Sequence, residues 1–423
     1  MLKKIPVADL ELGMFVHKLE GSWFDHPFWK AKFLLEDVAR LNALKESRVQ
    51  FVIIDVAKGI DVNERPASAK PVAAGTASLG TTRAQTIKRR AALRLDVSQP
   101  VSMQDELSVA TQIADHGRER LGKLFSDAKL GKALDVRKVE PVVSDILASV
   151  RRCPQAFSGL MRCKLKNEQI FRHALSVSAL MVALADRMKL SGPEIFSSGQ
   201  AGLLLDIGVN YLPGMVDPWT GGRRQADVPV WQSHVLLGYR ALQNEEGLPK
   251  TVLDACLMHH ERLDGSGFPQ RSVGDDIPRI ARMAAICDSF EFLLAGAMGR
   301  PALDPAAAVA ELRAQVGAFD EDILRLFVET VGLFPVGSFV ELSDGNLAMV
   351  IDEDRKDPLR PVVQVFYSLE RRERLLPHRI ALAQREPDKS ILGIADPSGL
   401  DLPPVAQLRE LVFLSAYRAQ MAA

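Results

Sequence analysis

The stretch HHERLDGSGFP, residues 259–269, puts two adjacent histidines, a Glu, an Asp and three helix breakers into eleven positions. Neutral imidazoles and carboxylates are ligands for divalent iron, manganese, nickel or zinc, and ligand softness alone does not choose among these metals. Neighbouring residues stand about 100° apart around a helix, so His259 and His260 serve one centre if it lies near the helix end or across a cleft. After them, Asp264-Gly265 and Gly267-Phe268-Pro269 supply a tight turn of the kind a loop beside such a centre requires. The plainer alternative is a helix that simply ends in a turn.

Three more positions bear on that choice. His173 in RHALSVSALMVALADRM heads an apolar stripe continued by Val177, Leu180 and Leu184, which aims its imidazole at a core. Asp206 lies inside an apolar run, AGLLLDIG, and Asp288 inside MAAICDSFEFLL. An unpaired carboxylate costs several kcal/mol to bury, so each calls for a partner. A lone histidine on an apolar face is usually structural, and either Asp can instead sit at a helix start or on a wet face.

The elements that must position these residues are mostly helices. From about 83 to 330 the pattern is helical almost throughout, broken at Ser191-Gly192-Pro193, Pro213-Gly214, Gly221-Gly222, Gly247-Leu248-Pro249 and the 259–269 stretch. Before it, residues 1–62 carry strand-like runs (MFVHKL, VQFVIIDV) and one segment of helical periodicity, FLLEDVARLNALKE, which reads as a small α+β module. ERPASAKPVAAGTASLGTT follows, Pro/Ala/Gly/Ser/Thr-rich and without periodicity, and reads as linker. After Phe334-Pro335 the short β-branched runs GSFVEL, LAMVIDE and PVVQVFYS predict an antiparallel β module, and VAQLRELVFLSAYRAQM a closing helix. The expected fold is thus mainly α and multidomain: module 1–62, linker 63–95, a helical bundle of six or seven helices over 96–335, and a C-terminal β module with terminal helix over 336–423.

Composition narrows the function. Lys plus Arg and Asp plus Glu both number 53, so no chain-wide positive charge argues for DNA, and the KRR cluster at 88–90 reads as a solvated face. The N-terminus meets Asp9 and Glu11 before any apolar run, and no stretch reaches the ~20 apolar residues of a membrane span. The expectation is a soluble, cytoplasmic protein that does not bind membranes. Cys153, Cys163, Cys256 and Cys287 lack CxxC spacing and read as reduced thiols. Residues 104–130 form a helix long enough for a homodimer contact, although heptads there are weak.

Residues 165–335, through the pattern HHExxDGxG[YF]P, resemble the HD-GYP family, helical metal-dependent phosphohydrolases of the HD superfamily that cleave the bacterial second messenger cyclic di-GMP. LGMFVHKL and SWFDHPFW resemble the small domain that precedes HD-GYP in one subgroup, and FPVGSFVEL with LAMVI resembles a β extension that follows it. The resemblance implies that His173 is the first-helix ligand and Asp206 the bridging carboxylate. It makes His234, His259 and His260 ligands from later helices and Asp288 the closing carboxylate. Asp206 and His234 then stand at the catalytic centre, Arg300 contacts ligand phosphate, and Asp264, Gly265, Gly267, Phe268 and Pro269 form the ligand-side loop. In active members two or three metals activate a hydroxide against the phosphodiester phosphorus. Iron, manganese or nickel would serve, with one, two or no ions per chain here.

Three positions depart from the family pattern. The HD pair is Leu205-Asp206, the Lys expected three residues after that Asp is Val209, and the GYP tyrosine is Phe268. Leucine has no lone pair, so one metal position keeps only His173, Asp206 and Asp288, while the other draws on Asp206, His234, His259 and His260. The expectation is a cyclic di-GMP phosphodiesterase-like signalling protein with weakened hydrolysis. The alternative is an inactive relative that binds cyclic di-GMP or a partner such as a diguanylate cyclase domain.

Overall fold

The computed structural model describes residues 2–20, 33–35, 38–45, 49–60, 100–163, 169–212, 228–296, 300–354, 357–384 and 389–421. The linker 63–95, the SWFDHPFW motif, the KRR cluster and the turns at 213–214 and 221–222 lie outside these residues. Backbone contacts divide the chain into two compact units: residues 1–95 with 345–347 and 365–378, and residues 96–344 with 348–364 and 379–423.

In the N-terminal segment, β1 (Leu2–Pro6), β2 (Phe15–Glu20), β3 (Phe33–Leu34) and β4 (Phe51–Asp55) form a sheet in the order β1-β4-β2-β3. The alternation in β4 buries Val52 and Ile54, which pack with Ile5, Leu10, Met14 and Val16. Helix α1 covers only Val38–Lys45. This corrects the reading of FLLEDVARLNALKE as one helix: Phe33 and Leu34 pair with Val16 and Phe15, so a sheet contact made by the folded chain overrides local periodicity.

The helical part runs through α2 (Met103–Lys129), α3 (Glu140–Arg152), α4 (Pro154–Cys163), α5 (Gln169–Arg187), α6 (Gly192–Leu204), α7 (Val228–Gln232), α8 (His234–Leu242), α9 (Lys250–Met258), α10 (Arg279–Ala295), α11 (Pro305–Ala314) and α12 (Glu321–Val331). These eleven helices among the described residues exceed the six or seven expected. Prolines explain part of the difference. Pro154 and Pro305 sit in first turns, while Pro249 and Pro278 precede first turns, and each starts a new helix that periodicity alone would merge with its neighbour.

Helix α5 is the central element, buried at every position from His173 to Ala185. Helix α6 starts from a capping box, with Ser191 and Glu194 satisfying each other's backbone groups, and packs along α5. The approach is close because a Cβ at Gly202 would meet the Ser178 backbone. Helix α2 is capped by Ser102, and its Glu106 makes a fully buried two-bond ion pair with Arg152 of α3, both at 2.7 Å.

The C-terminal strands β5 (Phe339–Leu342), β6 (Asn346–Asp352), β7 (Val362–Ser368), β8 (Glu373–Ala381) and β9 (Ile391–Ile394) form an antiparallel sheet in the order β8-β7-β6-β5-β9. Helix α13 (Val405–Met421) closes the chain, and the buried Tyr417 hydroxyl donates to the Ile351 carbonyl at 2.6 Å. The fold class is therefore mainly helical, with a small N-terminal α+β segment and a C-terminal β-sheet. Among the described residues no helix is long and apolar enough to cross a membrane, and the four cysteines are buried and form no disulfide.

Candidate metal centre

The six candidate ligands, drawn from α5, the α6 end, α8, the α9 end and α10, converge in one buried region. They form two groups, His234 with His259 and His260, and His173 with Asp206 and Asp288; within each group one ligand-capable atom per residue lies within 4.8 Å of the others. Asp206 faces both. Its Oδ2 is 3.3 Å from His173 Nε2, while its Oδ1 is 3.4 Å from His234 Nε2 and 3.8 Å from His259 Nε2.

Backbone carbonyls set the imidazoles. His234 Nδ1 donates to the Trp231 carbonyl at 2.7 Å, and His259 Nδ1 to the carbonyls of Ala255 and Cys256 at 3.2 and 3.1 Å. With both Nδ1 atoms holding protons, the two Nε2 atoms face each other at 3.4 Å with lone pairs. Burial lowers His234 to a pKa of about 4. It also lowers His260 well below the ordinary histidine value, helped by the neighbouring His259 and His234. The His260 Nε2 is buried with no hydrogen-bond partner. Opposed lone pairs, a buried orphan nitrogen and a shared carboxylate make a donor set that fits a divalent cation.

The second group centres on His173 and reaches the first through Asp206 and through Asp288 Oδ2, 3.7 Å from His260 Nδ1. His173 Nε2 is 2.9 Å from Asp288 Oδ1. Burial pulls the His173 pKa down, but the Asp288 bond and the charges of Asp206 and Asp288 outweigh it and leave it raised. Burial pushes Asp288 up, and His173 overcomes that to hold it low. Leu205, where the family pattern has a histidine, is 1% exposed and caps the C-terminal end of α6. Asn210, four residues after Asp206, donates its amide to the Ile207 carbonyl at 2.9 Å.

The 259–269 stretch is held by a residue that sequence reading passed over. Glu261, 1% exposed, accepts from the backbone of Gln270 at 2.7 Å and of Ser272 at 3.1 Å, pinning the turn. Gly267 lies against this chain so closely that a Cβ would strike the His260 carbonyl and the Glu261 Cα. Asp264 is exposed and accepts from Ser266 N and Oγ at 2.9 and 2.6 Å, so it shapes the turn. Phe268 stacks on His260 with centroids 4.6 Å apart, Gly265 and Pro269 are half-buried, and Arg300 is exposed. Trp231 was also missed, having no charge or motif to mark it.

A family described as "HD domain" matches residues 160–323, and a "Domain of unknown function (DUF3391)" matches residues 2–139. The chain is 36% identical to "Cyclic di-GMP phosphodiesterase PA4108" of Pseudomonas aeruginosa over 87% of its own length and 86% of that protein's. The chain belongs to the HD-GYP family. This HD-GYP protein is also 35% identical to "Cyclic di-GMP phosphodiesterase response regulator RpfG" of Xanthomonas campestris over 32% of this chain and 36% of that one. A solved structure, "Bd1817, a HDG"Y"P protein from Bdellovibrio bacteriovorus", covers 78% of this chain and 99% of its own at 17% identity and a TM-score of 0.47.

Proposed function

We propose that this HD-GYP protein hydrolyses cyclic di-GMP, with a rate reduced by Leu205 and Val209. The observation that carries the reading is Asp206, whose two carboxylate oxygens divide between the His234/His259 pair and His173. His234, His259 and His260 with Asp206 Oδ1 would hold one divalent ion, iron, manganese or nickel, and His173, Asp206 Oδ2 and Asp288 the second position. Such an ion supplies Lewis-acid polarisation of a phosphoryl oxygen and a lower pKa for an attacking water.

The chain's own residues do the rest. The carbonyls of Trp231, Ala255 and Cys256 fix the tautomers of His234 and His259, and Asp206 aligns both groups across one carboxylate. Phe268 and the turn pinned by Glu261 cover His260. Arg300, exposed on the surface, is positioned in sequence to meet ligand phosphate, and its charge suits that role. The division into 1–62, 63–95, 96–335 and 336–423 then assigns the chemistry to the helical domain.

A second reading, binding of cyclic di-GMP or of a diguanylate cyclase domain without turnover, is favoured by one observation: His173 Nε2 lies 3.3 Å from Asp206 Oδ2 and 2.9 Å from Asp288 Oδ1, where its protonated form offsets one of the two carboxylate charges. Metal content of anaerobically purified protein, with cyclic di-GMP turnover measured on wild type and Leu205→His, separates the two. Bound metal with pGpG or GMP released by wild type is the expected result. No product from wild type, with metal and turnover gained in Leu205→His, would replace hydrolysis by binding.

A further inference from the structure

The six candidate ligands do not account for the aromatic wall on which two of them lean. Trp231, in the short helix α7, is 7% exposed. Its indole centroid is 4.7 Å from the His234 ring and 4.9 Å from the His260 ring, with Phe268 at 5.8 Å and Phe292 at 6.0 Å. Phe268 stacks on His260 at an interplanar angle of 23°, so the His260 imidazole has aromatic contacts with both Trp231 and Phe268. The Trp231 carbonyl also takes the His234 Nδ1 proton. One residue therefore contacts two of the three histidines through its ring and fixes the tautomer of one of them through its backbone.

We propose that Trp231 is the positioning residue of the three-histidine group. Its ring holds His234 and His260 in the rotamers from which their ligand nitrogens converge, and it closes that side of the centre to water. The inference rests on reading this group as a metal centre. It is physically demanding because ligand sets work only when held within about 0.5 Å and 10–20° of the productive geometry. His260 has no hydrogen-bond partner on Nε2 and only Asp288 Oδ2, 3.7 Å from its Nδ1, as a polar neighbour, so ring packing carries most of its orientation. A ligand whose orientation depends on packing loses metal affinity when the packing residue is cut back. Losses of about 10–100-fold are usual when the support behind a ligand is removed.

The test uses the full chain and Co²⁺ alone as the probe. Visible d–d absorption reports the ligand geometry, competition with a chromophoric chelator gives affinity, and stopped-flow chelator challenge gives release rate. Wild type, Trp231→Phe, Trp231→Leu and Trp231→Ala are compared, with His259→Ala as the ligand-loss control and circular dichroism as the fold control. Phe keeps a ring and should stay within about threefold of wild type, while Leu and Ala should bind about 10–100-fold more weakly, with faster release and an altered spectrum. Should Ala not fold, Leu, which fills most of the volume without a ring, carries the same readouts. An ordinary core tryptophan predicts only a lower melting temperature, so a folded Leu or Ala variant with wild-type affinity and spectrum overturns the proposal. Failure of wild type itself to bind Co²⁺, or binding indifferent to His259→Ala, removes the metal-centre reading instead, and the positioning role with it.

Discussion

His173 Nε2 stands 2.9 Å from Asp288 Oδ1 and 3.3 Å from Asp206 Oδ2, so one imidazole on the central helix holds together two buried carboxylates from different helices. Each Asp is at most 8% exposed. Without His173, two like charges would share a low-dielectric space, and this arrangement is the basis of the first prediction.

His173→Ala should destabilise the chelator-treated protein by about 3 kcal/mol, the lower end of the cost of leaving a buried charge unpaired. Added divalent metal should restore part of that loss, because a cation can neutralise the same carboxylates. Urea unfolding with and without Mn²⁺ checks both signs; equal stability of wild type and variant would show that the carboxylates are compensated elsewhere.

The pH dependence of the histidines has opposite signs in the two groups. His234 has its folded pKa lowered by burial to about 4, against an unfolded value of about 6.5. Its contribution is therefore fully present above about 6.5 and is lost as pH falls towards 4, a span on the order of 3 kcal/mol. His173, with a raised folded pKa, contributes below its unfolded value and loses that contribution as pH rises through the folded one. Chelator-treated wild type and His234→Ala should accordingly converge in stability as pH drops from about 6.5 to about 4. A constant difference across that window would show that His234 is not the group titrating.

Gly208→Ala should damage the centre without touching a ligand. A Cβ there would collide with the His234 carbonyl oxygen and crowd Gly238 N at 2.6 Å, pushing α8 and its first residue, His234, away from Asp206. Overpacking of this kind costs about 1–3 kcal/mol. Metal affinity should fall more than melting temperature would suggest, which titration against a chelator would reveal.

Glu106 and Arg152, joined by two 2.7 Å bonds, predict a purely structural phenotype. Glu106→Ala should cost about 3–5 kcal/mol by stranding a buried guanidinium, while the double replacement Glu106→Leu with Arg152→Met should be near neutral. Denaturant midpoints decide this, and metal content should not change in either protein.

The buried thiols should resist alkylation. Burial pushes Cys163 up to about 12 and Cys256 and Cys287 further above the usual thiol value, so almost no thiolate exists at pH 8. Iodoacetamide should label them only after unfolding; rapid labelling of native protein would refute the burial of these residues.

The sequence by itself determined the helical class and the strand runs near both ends, and it singled out His173, Asp206, His259, His260 and Asp288, because apolar periodicity and unusual polar residues inside apolar runs are local signals; His234 was marked only by the family resemblance. It also marked Leu205 as a residue unable to bind metal, since that follows from its chemistry alone. Only the tertiary structure decided how the six positions divide, with Asp206 turning one oxygen to each group, because that depends on where helices up to 115 residues apart come to rest. The same holds for Phe33 and Leu34, drawn from a helical pattern into a sheet by Val16 and Phe15. It holds as well for Glu261 and Trp231, whose roles come from what they touch. A buried acid pinning a turn and an indole braced against two imidazoles leave no periodic or compositional trace, for their partners meet them only in space.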